Sequence, residues 1–412
     1  MDFSLASIES LPNELLSDIF EKAVVTVPKS GISPFLVIPQ SNITTIGVLS
    51  QVSRRWNEII YSTKQLWASA IDMDSDNVSK LETIVRRAGT APLVINSSNV
   101  DQDFSKETWR FVLARLATWG IFYLETSAMS DKSSLTGALA QPAPQLRAFS
   151  IHNTRYHMPP GMNNILTEPD HFLLPHNLFA GHAPCLREVS IANVYFPLSF
   201  DFLVWERLTM LHVQHDLEGD EDDVLYSSRW LQVLAKMPLL EALYLEWELS
   251  RSAKSIPVFI SSSEHESVSD VHMSHLRKLE FSAPAEGSNI LLSILAKLIV
   301  PNACCTAITV ALDDDVQLLR YDLLRASANR RAKEWRSVGA RLEINSWNFP
   351  MAIEFGFDIR APTVGKGAML DVRCIGLLEE SSSYSNDAST KSNRGNCPFA
   401  EMMLILKEIP QD

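Results

Sequence analysis

The chain has 412 residues, which at roughly 150 per domain predicts two or three domains with room for a large core. Its 46% hydrophobic and 21% charged residues are those of an ordinary folded protein, while a net charge of −13 argues against general nucleic-acid binding and against anionic membranes. The five cysteines are odd in number and form no CxxC pair, so reduced thiols are expected rather than a disulfide frame or a metal site.

The opening residues, MDFSLASIESLPNE, carry acids and lack the basic start and apolar core of a signal peptide. No apolar run reaches the ~18 residues of a membrane helix. A cytoplasmic or nuclear location follows as the expectation. Leu11, Leu15, Leu16, Ile19, Phe20 and Ala23 then recur at helical spacing, with Pro12 in the first turn and Glu14 near the positive end of the dipole. The segment Glu21 to Ser41 holds three prolines and reads as a loop. A second helix is expected across NITTIGVLSQVSRRW, capped by Asn42, with Ile43, Ile46, Leu49 and Val52 on one face. A third runs from about Arg55 to Ser62 with Trp56, Ile59 and Ile60 inward, and Leu66 and Trp67 follow as an apolar pair. Three short helices cannot bury this surface alone. Either they pack on the next domain, or part of the stripe accepts a partner helix.

The ordered set Leu11-Pro12-x-Glu14-Leu15-Leu16-x-x-Ile19-Phe20, Leu49-x-x-Val52-Ser53-Arg54-Arg55-Trp56 and Leu66-Trp67 resembles an F-box. It is similar in particular to the F-box-like modules of large fungal families, over about residues 8–70. The resemblance implies docking to the Skp-type adaptor of a cullin–RING ubiquitin ligase. The residues it carries over to adaptor binding are Leu11, Pro12, Leu15, Leu16, Ile19, Phe20, Leu49, Val52, Trp56 and Trp67. Buried aromatics are the expected hot spots of such an interface.

Five later stretches share the pattern Leu-x-x-apolar-x-apolar: APQLRAFSI, APCLREVSI, WERLTMLHV, MPLLEALYL and MSHLRKLEF. Weaker candidates are APLVINS, IFYLET, CTAITVAL and RLEINS. This is the strand signature of leucine-rich repeats. The spacings between the first leucines, 40, 22, 32 and 36 residues, make the array irregular, and no asparagine stands three residues after the last apolar position. An α/β fold is expected: a three-helix F-box-like module over residues 1–75, an irregular leucine-rich-repeat-like solenoid over 76–340, and a small β-rich closure over 341–412 with a mobile loop at 381–396. An unrelated α/β domain with leucine-rich strands is the competing reading. The strand residues between the apolar ones would face a concave surface and bind a target protein. They are His152, Glu188, Ser190, Met210, His212, Gln214, Tyr244, Glu246, Trp247, Lys278 and Glu280.

LEGDEDD at 217–223 lacks the spacing of a calcium loop and reads as a solvated insertion. A basic helix is expected from Leu318 to Val338, with its charges outward. The strand-like runs RLEINSW, AIEFGFDIR, MLDVRCIGLL and EMMLILKEI make up the C-terminal segment. There is no GxxxxGK[ST], GxGxxG, GxSxG, HExxH or CxxC, so no residue carries an enzymatic reading and no cofactor is expected. Three functional readings are open. The first is a non-catalytic, substrate-recruiting subunit of an SCF-type ubiquitin ligase. The second is a repeat scaffold whose N-terminal helices merely cap the array. The third, a hydrolase or transferase, has no motif behind it.

Overall fold

The structure is a computed structural model and describes residues 8–26, 40–41, 43–72, 77–97, 106–126, 132–153, 172–194, 205–216, 227–248, 269–283, 291, 293–301, 304–312, 341–349, 352–360 and 369–376. The chain divides into two compact units, Met1–Leu208 and Thr209–Asp412.

The first unit opens with α1 (Asn13–Val24). Pro12 stands just outside it, and its carbonyl accepts the first helical bond from the Leu16 N–H at 3.1 Å. A proline there sacrifices no helical hydrogen bond. Leu16, Phe20 and Val24, four residues apart, form the buried face, while Ala23, expected inward, is exposed. The segment expected as a plain loop leaves through β1 (Val25–Thr26) and returns through β2 (Gln40–Ser41), which pair antiparallel. Helix α2 (Ile43–Ser50) stops before the Arg-Arg-Trp stretch. The second helix thus ends earlier than expected, and the third is started at Arg54 by Ser53. Its backbone is extended (φ −154°, ψ 162°), and its Oγ accepts the Trp56 N–H as the N-cap of α3 (Arg54–Ser62). A fourth helix, α4 (Lys64–Ala68), carries Leu66 and Trp67, where three helices were expected.

Only Ser69 and Ala70 separate α4 from β3 (Ile71–Asp72). Then come α5 (Val78–Ala88), β4 (Leu93–Ser97), α6 (Lys106–Leu113), β5 (Trp119–Thr126), α7 (Lys132–Leu139), β6 (Ala148–Asn153) and β7 (Glu188–Ala192). Strands β3 to β7 pair in chain order and all in parallel. Parallel neighbours cannot be joined by a hairpin, and α5, α6 and α7 supply three of the crossovers. Phe122, Phe149 and Val189 lie in register on one face beside Leu124, Ile151 and Ile191, all buried. The rings of Trp119 and Phe122 stack at 4.4 Å and those of Phe122 and Phe149 at 5.8 Å. The β4–β5 register skips Gly120. A Cβ at Gly120 would lie 2.5 Å from the Pro92 Cβ, so the bulge needs a glycine.

In the second unit, β8 (Met210–Asp216), β9 (Ala242–Glu248), β11 (Lys278–Ala283) and β13 (Cys305–Leu312) pair in parallel and in order. Helix α8 (Ser227–Ala235) precedes β9, and a small parallel pair joins β10 (Val271–His272) to β12 (Leu298–Ile299). Leu211, Leu243 and Leu279 stand in register, as do Val213, Leu245 and Phe281. The C-terminal strands β14 (Arg341–Phe349), β15 (Ala352–Arg360) and β16 (Met369–Gly376) form an antiparallel meander, and β16 joins β13 in parallel. The acidic run 217–223, the basic helix 318–338, the loop 381–396 and the run EMMLILKEI lie outside the described residues.

The five repeated stretches are alike in their hydrogen bonds as well as their letters. Leu146, Leu186, Leu208, Leu240 and Leu276 are all buried, and each donates its N–H to the carbonyl three residues before, at 3.0–3.2 Å. Cys304 takes the same place in the sixth stretch, bonding Pro301 at 2.9 Å. The next residue then donates to the start of the preceding strand: Arg147 to Gly120, Arg187 to Arg147, Glu241 to Thr209, Arg277 to Glu241 and Cys305 to Arg277, at 2.7–2.8 Å. An asparagine does link two strands, one residue earlier than the position where none was found. Asn193, at φ 53°, donates from Nδ2 to the Asn153 carbonyl at 3.2 Å, and both side chains are buried.

Gly120→Ala should destabilise the fold by about 1–3 kcal/mol through overpacking against Pro92. Gly137→Ala, in α7 with nothing within 4 Å of the new Cβ, should stabilise it by about 0.5–1 kcal/mol. Urea denaturation of the two variants should move the midpoint in opposite directions. His212 on β8 is buried, and burial lowers its pKa from 6.5 to about 4. The unfolded chain therefore binds more protons between those values, so stability rises with pH across that window. As the pH falls through it, up to about 3 kcal/mol should be lost. Unfolding free energies at pH 7 and pH 4.5 should differ less in His212→Gln than in the wild type.

Candidate functional site

The N-terminal helices are closed by contacts that span the insertion. The Arg55 guanidinium on α3 donates to the Asn13 Oδ1 at 3.0 and 2.8 Å and to the Leu11 carbonyl, so it holds the start of α1. Sequence reasoning gave Arg55 no role. The side-chain amide of Asn57 donates to the Ser50 carbonyl at 3.0 Å, and the hydroxyls of Ser17 and Thr63 lie 3.2 Å apart. The rings of Phe20 and Trp56 meet at 4.7 Å, and the Trp67 Nε1–H donates to the Ile60 carbonyl at 3.0 Å.

This packing sorts the ten residues expected at an adaptor surface into two groups. Leu16, Phe20 and Trp67 are buried in the core of the helices. Leu15 and Ile19 are exposed by 49% and 39%, and Val52 by 56%. Pro12 is exposed as well, and Leu11, Leu49 and Trp56 are half-buried. Adjacent residues on a helix point about 100° apart, so Leu15 and Leu16, or Ile19 and Phe20, face different ways. Val48, Ile8 and Tyr61 are exposed and were missed. Val48 could have been found by noting that Ile46 is the residue α2 turns inward. Among the residues whose burial is described, the exposed large apolar side chains are Ile8, Leu15, Ile19, Val48, Val52 and Tyr61 in and beside these helices, and Leu173 and Leu239 elsewhere. Exposed apolar groups concentrated on one small module mark an interaction surface.

The residues expected to face a target present a different picture. His152, Ser190, Met210, His212, Tyr244 and Trp247 are buried. For Trp247 the reason is parity. It alternates with Leu243 and Leu245 on the apolar side of β9, and its ring meets Trp230 of α8 edge-on at 6.2 Å. The others do lie on the polar face, but that face is covered. In the first unit it carries a hydrogen-bonded cluster. The His152 Nε2 lies 3.1 Å from the Ser150 Oγ and 2.9 Å from the Ser190 Oγ, which ties β6 to β7. The Tyr123 hydroxyl donates to the buried Glu125 carboxylate at 2.9 Å, and burial first, then the Glu125 charge, pushes the Tyr123 pKa well up. Such a network fixes the strands against one another, because each buried polar group must be satisfied. Ser150 and Ser190 have no accessible surface from which to meet a substrate.

In the second unit the polar face is partly open. Gln214, Glu246, Lys278 and Glu280 are half-buried. The Lys278 Nζ sits 4.7 Å from the Tyr244 ring and 3.3 Å from the Glu280 carboxylate. Glu246 approaches the His212 Nε2 at 3.9 Å, a polar contact with a neutral ring at pH 7. Glu188 on β7 is half-buried, and burial raises its pKa.

No group of His, Cys, Asp and Glu that could hold a metal occurs among the described residues, and no described helix is long and apolar enough to cross a membrane. No curated protein matches the chain. Residues 8–71 match the family model described as F-box-like, a span that runs from the turn before α1 to the first residue of β3. The match and the exposed apolar side chains fall on the same helices, and the chain thus carries an F-box-like domain at α1–α4, as an F-box protein does.

Proposed function

We propose that the chain is the substrate receptor of an SCF-type cullin–RING ubiquitin ligase. An F-box-like domain suggests an adaptor or receptor role in such complexes, and F-box proteins are typically non-catalytic. In this reading α1 and α2 dock on a Skp-type adaptor through Leu15, Ile19, Val48 and Val52, with Leu11, Pro12, Leu49 and Trp56 at the margin. The observation that carries it is the concentration of exposed apolar side chains on the matched helices. The remaining sheet holds a target protein. We read that sheet as an irregular leucine-rich-repeat-like solenoid. Within the units, the sequential parallel pairing of β3 to β7 and of β8, β9, β11 and β13, with the repeated strand-entry bonds, supports this. Gln214, Glu246, Lys278 and Glu280, the half-buried polar residues of the second unit, are the target contacts we propose. The mechanism is proximity. The receptor makes no covalent bond and raises the effective concentration of a target lysine near the charged conjugating enzyme. A cytoplasmic or nuclear site of action fits this role.

Calorimetric titration of the full chain with a Skp-type adaptor should show one-to-one binding. Each apolar side chain fully buried at an interface contributes roughly 1.5–3 kcal/mol, so the double variant Leu15→Asp, Ile19→Asp should bind at least about a hundredfold more weakly. Its circular dichroism should match the wild type, because both side chains already face solvent. Leu239→Asp, exposed outside the matched helices, should leave the affinity unchanged. A folded wild-type chain that binds no adaptor would sink the ligase reading and favour the scaffold.

A further inference from the structure

The F-box-like match ends at Ile71, and Ile71 is already the first residue of β3, paired with Ile95 of β4. The last element of the docking module is thus the first strand of the sheet. The two also share a core: Leu66, Trp67, Ala68, Ala70 and Ile71 are buried, as are Leu81, Ile84 and Ala88 of α5. A two-residue connection fixes the distance between α4 and β3. By itself it leaves the angle of the helices free, because two residues still carry four soft dihedrals.

One side chain spans that joint. Arg87, in the last turn of α5, places its guanidinium carbon 4.3 Å from the centre of the Trp67 ring and 4.5 Å from that of Tyr61. The two rings lie near parallel, 28° apart with centroids at 5.6 Å, and the Arg87 Nη2 donates to the Tyr61 hydroxyl at 3.5 Å. Tyr61 is on α3 and Trp67 on α4, so one planar cation from the sheet's first crossover helix contacts both helices at once. A delocalised planar group suits this position, since it can face aromatic rings and still donate at its rim. Trp67 is buried, and Tyr61 is 44% exposed.

We propose that Arg87 is a positioning residue: its grip on Tyr61 and Trp67 holds the F-box-like helices at one angle to the sheet. Resting on the ligase reading, this fixes where a bound target stands relative to the conjugating enzyme, and so which of its lysines come within reach.

The test is a distance measurement on the full chain. Spin labels introduced as unnatural amino acids at Glu14 and Gln141, both exposed, report the separation of α1 from the end of the α7 crossover. Pulsed resonance should give one narrow distance distribution in the wild type. Arg87→Ala should broaden it while circular dichroism and adaptor affinity stay at wild-type values, which a purely stabilising role would not do. Tyr61→Ala removes one ring at a half-exposed site and should broaden it likewise; it decides the matter if Arg87→Ala fails to fold. A broad distribution in the wild type, or a narrow one in the folded variants, would overturn the proposal. Adaptor binding measured on the same variants without the labels separates the two readings. A wild type that binds no adaptor ends the ligase assignment and leaves the role of Arg87 at the joint standing.

Discussion

Five strands, β6, β7, β9, β11 and β13, are each entered through one backbone N–H given to the start of the strand before. Arg187 bonds Arg147, Arg277 bonds Glu241 and Cys305 bonds Arg277, always one residue after the buried leucine or cysteine that closes the entry turn. That bond fixes register, and register is unforgiving in a sheet. A slip of one residue would turn Phe149 and Ile151 to the polar face and Ser150 and His152 to the apolar one. The entry turn therefore tolerates little variation, while the returns between strands vary freely. Within one unit, leucines 36 or 40 residues apart, Leu240 and Leu276 or Leu146 and Leu186, still lead into neighbouring strands, since longer crossovers cost only slowly increasing loop entropy.

The same logic separates what was legible in the sequence from what was not. The five Leu-x-x-apolar-x-apolar stretches all lie on parallel strands, because the letters directly encode the buried leucine and the period-two face. The F-box-like pattern was legible for a similar reason: its apolar spacing survives a long insertion. Trp247 was misplaced by a parity slip that its neighbours Leu243 and Leu245 already contradicted. The break between α2 and α3 was expected a few residues too late, because one serine cap outweighs a continuing apolar period, an effect of local hydrogen bonding. The burial of His152, Ser190 and His212 was beyond local reasoning altogether. Whether the polar face of a strand meets solvent or other chain is decided by residues distant in sequence.

The module's two apolar faces also divide labour in a way that composition hides. Leucine and isoleucine at 15 and 19 look the same as leucine and phenylalanine at 16 and 20, yet one pair meets solvent and the other the core. What decides is the anchor at the far end of the chain segment. Arg55 grips Asn13 and the Leu11 carbonyl, Trp56 packs on Phe20, and together they fix the rotation of α1 about its own axis. Removing the anchor would free that rotation, and the exposed pair would lose its definition even with every apolar residue intact.

The insertion between α1 and α2 shows how this arrangement absorbs sequence change. It departs through Val25–Thr26 and returns through Gln40–Ser41, a paired stem that brings both ends together before α2 begins. What lies beyond the stem can vary in length without moving α1 against α3, because the helices are held by contacts that do not pass through it. On the other side of the module no such freedom exists. There the chain runs within two residues from α4 into β3, and any change in the angle between helices and sheet must disturb the shared core of Trp67, Leu81 and Ile84 or the stacked Arg87. Variation is thus admitted where the chain loops away from the docking helices and resisted where those helices become the sheet.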